Sequence, residues 1–105
     1  MQVTYVEPNT VILTLEREFD ALAVVDARPM LEDIVANGDA NVVMDFSAVD
    51  FLDSSGIGCV VFAFKRLHAG KRTLTLQGLR GQPQRLIQSL RIDKAIPTRP
   101  VDAAA

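Results

Sequence analysis

Val42-Val43-Met44-Asp45-Phe46 and, beyond a polar elbow, Asp53-Ser54-Ser55-Gly56-Ile57-Gly58 form the stretch around which the chain is organised. The first run is short, apolar and β-branched, and the turn-like cluster Asn37-Gly38-Asp39 precedes it, the pattern of a buried strand. The second run opens a helix. Asp53 or Ser54 can cap the free N–H groups at its start, while Lys65, Arg66 and His68 stand in its last turns and Gly70 follows. Two adjacent hydroxyls, Ser54 and Ser55, therefore sit at a helix N-terminus. That end carries unpaired donors and a partial positive charge, so it tolerates added negative charge better than most surface positions.

Upstream, residues 3–6 and 10–15 read as a β-hairpin joined by Glu7-Pro8-Asn9, with Val11, Leu13 and Leu15 alternating toward one core face. A charged connection, 16–20, leads to a helix that ends near Asn37, where Gly38 terminates it. Its start is either Asp26, which puts Pro29 in the first turn, or Asp20, which kinks the helix at Pro29. Met30, Leu31, Ile34 and Val35 form the inward stripe in both cases. Downstream, 72–77 alternates as a strand and 78–81 breaks it. Pro83 then begins a helix with Leu86, Ile87 and Leu90 on its apolar face, running to about Arg91. Ala95-Ile96-Pro97 suits a last edge strand, and 100–105 a frayed tail. The order β-β-α-β-α-β-α-β predicts one α/β domain over 1–99, a mixed sheet with helices packed on it through right-handed crossovers.

The totals narrow the function classes. A chain of 105 residues, 49% of them hydrophobic, holds one small core. Eleven basic against 13 acidic residues give a net charge of −2, which disfavours nucleic-acid binding, since phosphate contacts need clustered Lys and Arg. One cysteine, Cys59, cannot form an internal disulfide. Glu7 and Pro8 interrupt any apolar leader, and the longest apolar run, 56–64, is less than half of the roughly 20 residues a membrane span requires. The expectation is a soluble cytoplasmic protein with no membrane insertion.

Catalysis finds little support. The only histidine, His68, lies fourteen residues beyond Ser54 on one helix, roughly 21 Å away at 1.5 Å per residue. Neither a Gly-x-Ser-x-Gly elbow nor a phosphate-binding glycine loop is present. Asp45, Asp50 and Asp53 have no recognised metal spacing and read as solvated carboxylates, so no metal or cofactor is expected. Cys59 reads as a small core residue. In the central helix Ile57, Val60, Val61 and Phe64 fit a core stripe, which leaves Cys59, Phe62 and Ala63 outside it and Phe62 available for an apolar docking surface. Gly56 and Gly58 each cost a helix about 1 kcal/mol against alanine, which points to a packing or docking role. Asp53 either orients the Ser54 hydroxyl or caps the helix, and Ser55 suits a bond to the helix backbone.

Asp53-Ser54-Ser55-Gly56-Ile57-Gly58 after an apolar strand resembles the signature of the STAS family, specifically its anti-sigma-factor antagonists. The resemblance implies a STAS sandwich, no enzymatic activity, and phosphorylation at the serine after the aspartate, which is Ser54 here. It implies two partners: an anti-sigma factor with serine kinase activity, bound while Ser54 is unmodified, and a metal-dependent serine phosphatase. Asp53, Ser54, Ser55, Gly56, Gly58 and Phe62 are then the candidate partner-binding residues. In the family the loop before the first helix usually carries a glycine, where this chain has Arg17. Two other roles keep the family and change the target. One is a subunit supporting the ATPase of a lipid-transport ABC system, to which the run 74–78 is somewhat similar. The other is a phospho-switch governing polysaccharide or biofilm output.

Overall fold

A computed structural model describes residues 1–101. The chain builds β1 (Gln2–Val6), β2 (Thr10–Thr14), β3 (Glu18–Phe19), α1 (Ala21–Ala36), β4 (Asn41–Asp45), β5 (Phe51–Leu52), α2 (Ser54–Ala69), β6 (Leu74–Gln77), α3 (Gly81–Ser89), a 3₁₀ turn (Ile92–Lys94) and β7 (Thr98–Arg99). The expected order holds, with two two-residue strands added. The main sheet runs β1-β2-β4-β6-β7, with β1 antiparallel to β2 and every other pair parallel. The fold is thus a mixed α/β sandwich. Of the tail expected to fray, 102–105 lies outside the described residues.

Register explains the core. Val11, Val42 and Leu74 lie in one cross-strand row, and Leu13, Met44 and Leu76 in the next. All six are buried with Leu31, Val60, Ala63, Leu67 and Ile87 of the helices. Full burial of side chains this size contributes about 1.5–3 kcal/mol each. The alternate residues Thr10, Ile12 and Thr75 face the other side of the sheet and stay partly exposed.

α1 starts at Asp20, whose carboxylate accepts from the Ala23 N–H, so Pro29 lies inside the helix. Its end is held from a distance. Arg72 donates to the carbonyls of Ile34, Val35 and Ala40, and β6 begins at Leu74, two residues later than expected. The expected inward stripe needs correction: Ala27 and Leu31 are buried, Ile34 and Val35 half-buried, and Met30 is 40% exposed. On α2 the buried face is Gly56, Cys59, Val60, Ala63 and Leu67, whereas Ile57, Val61 and Phe64 are half-buried. The helix lies against α1 as well as the sheet, so its contact face is rotated from the one an all-apolar run suggests. α3 ends at Ser89; Ile87 is buried as expected and Leu86 half-buried, but Leu90 is 52% exposed and Pro83 faces inward in its place. The expected strand at Ala95-Ile96-Pro97 is displaced to Thr98–Arg99, and Ile96 is a buried plug between turn and strand.

The connection at 16–20 is more than a charged loop. β3 pairs in parallel with β5, and Phe19 and Leu52 are both buried. Gly56 packs directly against this pair: a Cβ there would run into the Phe19 carbonyl oxygen and lie 2.5 Å from Leu52 Cδ1. Gly58, one half-turn on, is exposed and has nothing within 4 Å of the same position. Gly56→Ala is therefore expected to destabilise by about 1–3 kcal/mol through overpacking, while Gly58→Ala stabilises by up to about 1 kcal/mol through helix propensity. Urea unfolding of the two variants checks the contrast, and shifts of the same sign would contradict it.

Candidate functional site

The N-termini of α1 and α2 meet at Asp53. Its Oδ1 accepts from the N–H groups of Ser55 at 2.9 Å and Gly56 at 3.0 Å, while Oδ2 accepts from the Ala21 N–H at 3.1 Å. One carboxylate thus caps its own helix and ties down the first residue of another, a use of the free helix-start donors of both. The choice left open by the residues is settled for capping. Asp53, rather than Ser55, supplies the bonds to the helix backbone. The strand residue before it is also clamped: Gln82 on α3 accepts from the Leu52 N–H and donates to the Leu52 carbonyl, both at 2.8 Å, as a neighbouring strand would.

On this frame Ser54 is exposed as the first residue of α2, and Ser55 is half-buried behind it. Gly58 lies one turn along, also exposed. Gly56 does not belong to this surface: it is buried, and its missing side chain admits Phe19 and Leu52. Phe62 lies two turns from Ser54 and is half-buried, with the Arg28 guanidinium over its ring at 4.0 Å and that of Arg66 at 5.1 Å. Ser54, Ser55, Gly58 and the capping Asp53 are thus brought together, while Gly56 points inward and Phe62 stands apart under two cations.

The strand aspartate Asp45 and the two elbow aspartates, Asp50 and Asp53, are engaged rather than merely solvated. Asp45 accepts from the Ser47 N–H, Asp53 caps, and Asp50 bridges two arginines. Arg17 reaches Asp50 Oδ2 at 2.9 Å and Arg80 reaches Oδ1 at 3.0 Å; Arg80 also donates to the Ser47 carbonyl. Sequence reading found Arg17 only as a departure from a family loop, because its partners lie more than thirty residues away. No group of three or more metal-ligating side chains occurs among the described residues. His68 stacks on Phe64. Cys59 is buried, and desolvation raises its thiol pKa above the ordinary value, the direction that disfavours the thiolate. No helix among the described residues is long and apolar enough to cross a membrane.

Hydrogen bonds from Arg80 and then Arg17 hold the Asp50 carboxyl below its ordinary pKa. Because the folded pKa is the lower one, the link is present at neutral pH and is lost as pH falls through that value. Carbon-detected NMR titration should show a depressed Asp50 pKa that rises in Arg80→Ala and, by less, in Arg17→Ala. An unchanged value in both variants would contradict the bridge.

The STAS domain model matches residues 2–105. No curated protein sequence matches significantly. Among solved structures, the Thermotoga maritima protein TM1081 aligns over 93% of this chain and 84% of its own, with TM-score 0.86 and 17% identity. An anti-sigma factor antagonist from Mycobacterium paratuberculosis aligns over 98% and 87%, with TM-score 0.83 and 24% identity. The Bacillus cell fate determinant SpoIIAA in its phosphorylated form aligns over 98% and 94%, with TM-score 0.79 and 23% identity. At these identities the likeness is one of fold, and it is shared with structures named anti-sigma factor antagonists. The matched model spans nearly every residue, and the chain belongs to the STAS domain family.

Proposed function

We propose that this chain is a phosphorylation-controlled protein-binding switch, an anti-sigma-factor antagonist whose acceptor is Ser54. The observation that carries the reading is the placing of one exposed hydroxyl at the start of α2, beside an exposed glycine and directly after a carboxylate committed to capping. A protein partner can approach Gly58 closely, and nothing within the fold needs the Ser54 side chain for packing. The fold's likeness to a protein described in its phosphorylated form supports the same reading.

The partner is an anti-sigma factor with serine kinase activity, and the protein acts in the cytoplasm. Unmodified protein binds the kinase and frees its sigma factor. In the modifying step Ser54 Oγ attacks the γ-phosphorus of ATP, the bond to the β-phosphate oxygen breaks, ADP leaves, and the hydroxyl proton passes to a base of the kinase. A metal-dependent serine phosphatase hydrolyses the ester and resets the switch. Phosphate adds about −1.5 to −2 charge and three strong acceptors at neutral pH. The α2 N-terminus offsets part of that charge within the domain, but a docked partner must desolvate the rest, at a cost of several kcal/mol.

Ser54→Ala should fold normally and take up no phosphate from the kinase and ATP, as read by intact mass and site mapping. Labelling of this variant, or labelling mapped to Ser55, would reject the assignment. Because Asp53 supplies the cap, loss of the hydroxyl should cost less than the 0.5–2 kcal/mol of a lost N-cap residue. Ser54→Asp, with one negative charge rather than two, should weaken binding only partly.

A further inference from the structure

The five-stranded sheet ends in β1 on one side and β7 on the other. An edge strand offers unpaired backbone N–H and C=O groups to any other strand. Folded proteins guard such edges with short length, charge, proline, a bulge or a covering segment. β7 is guarded twice over, since it has two residues and one of them is Arg99. β1 lacks these guards. Gln2-Val3-Thr4-Tyr5-Val6 contains no charge and no proline, and it pairs with β2 residue for residue, without a bulge. It also lies open to water. Gln2, Thr4, Tyr5 and Val6 are exposed and Val3 is half-buried, with Tyr5 76% exposed.

We infer that β1 pairs antiparallel with β1 of a second copy, about a two-fold axis at Thr4, and joins two five-stranded sheets into one. The strand is its own complement. Opposite residues of an antiparallel pair share a face of the sheet and the same hydrogen-bonding role. A symmetric pairing must therefore be centred on a residue rather than between two. Centring on Thr4 is the choice that pairs all five residues of β1. Thr4 then meets Thr4, Val3 meets Tyr5, and Gln2 meets Val6. The Val3–Tyr5 contact, made twice, sets an aromatic against a β-branched side chain, one of the favoured cross-strand pairs. An uncharged strand brings no like charges together. The joined sheet ends in the guarded β7 on both sides, so association closes at two copies.

The axis stands perpendicular to the sheet, so the helices of both copies stay on one face while the strand directions reverse. Ser54 follows β4 and β5, beyond the C-terminal end of the parallel strands. The two Ser54 hydroxyls thus lie toward opposite ends of the joined sheet. The pairing does not depend on what Ser54 does.

Sedimentation of the purified full chain from roughly 1 µM to 1 mM covers the range of affinities expected of a small interface. The parent should pass from monomer to dimer as concentration rises. Thr4→Lys and Thr4→Glu each set a charge opposite its own copy, so each alone should weaken dimerisation by about fivefold or more. Their circular dichroism should match the parent, because Thr4 is exposed. Mixed in equal amounts, the two variants set Lys opposite Glu, and the dimer should return. A role of Thr4 within one chain would not produce that rescue. Amide hydrogen exchange of the parent needs no variant: β1 amides should exchange more slowly as concentration rises, while β7 amides keep one rate. A parent that stays monomeric to the top of the range overturns the inference. A dimer that both variants retain in full, or protection that falls outside β1, places the interface elsewhere and overturns it too. Weakening by each variant without rescue in the mixture takes Thr4 off the axis and overturns the pairing as stated.

Discussion

The Asp53 carboxylate, accepting three backbone N–H groups from two helices, is the contact on which the arrangement of the site depends. Each helix begins with donors that its own backbone cannot satisfy. Two starts facing one carboxylate fix where α1 and α2 stand relative to each other. The contacts around it tighten the same junction. Gly56 closes onto Phe19 and Leu52, and Gln82 completes the hydrogen bonding of Leu52 in place of a strand. Replacing Asp53 would loosen both helix starts together, so effects of such a variant on partner binding report on geometry as much as on charge.

This frame gives a physical reason for the modification proposed at Ser54. The side chain is presented by a rigid helix end but takes no part in holding that end, so it is free to change. Negative charge there meets a helix start rather than a carboxylate in search of a partner, since both Asp53 oxygens are occupied. The neighbouring ion bridge of Arg17, Asp50 and Arg80 joins the β2–β3 connection to the elbow and to the start of α3. It sets the shape and charge of the elbow that leads into Asp53 and Ser54.

Much of this was legible in the residues because it is local. The apolar run at 42–46, the cap at Asp53 and the stop at Gly70 each announce themselves within a few positions, and they put Ser54 at the start of α2. What was missed depends on distant partners. Two-residue strands such as β3 and β5 are too short to show alternation. Arg72 holds the end of α1 from more than thirty residues along the chain, and Arg17 and Arg80 reach Asp50 from 33 residues before it and 30 after it. The face of α2 was misjudged because a helix apolar nearly all round has no period to read; Cys59 and Ala63 are inside since small side chains fit where α1, α2 and the sheet crowd together. Met30 and Leu90 show the converse, apolar residues at plausible spacing that the packing leaves in water.

The central claim is that phosphate on Ser54 alters docking and leaves the fold alone. Its most direct test is titration calorimetry of the anti-sigma kinase with unmodified and fully Ser54-phosphorylated protein, paired with the unfolding midpoint of each. The account predicts an affinity loss of about a hundredfold or more, some 2.7 kcal/mol, with midpoints that agree within a few degrees. Equal affinities, or a phosphorylated protein that binds weakly only because it has unfolded, would contradict it.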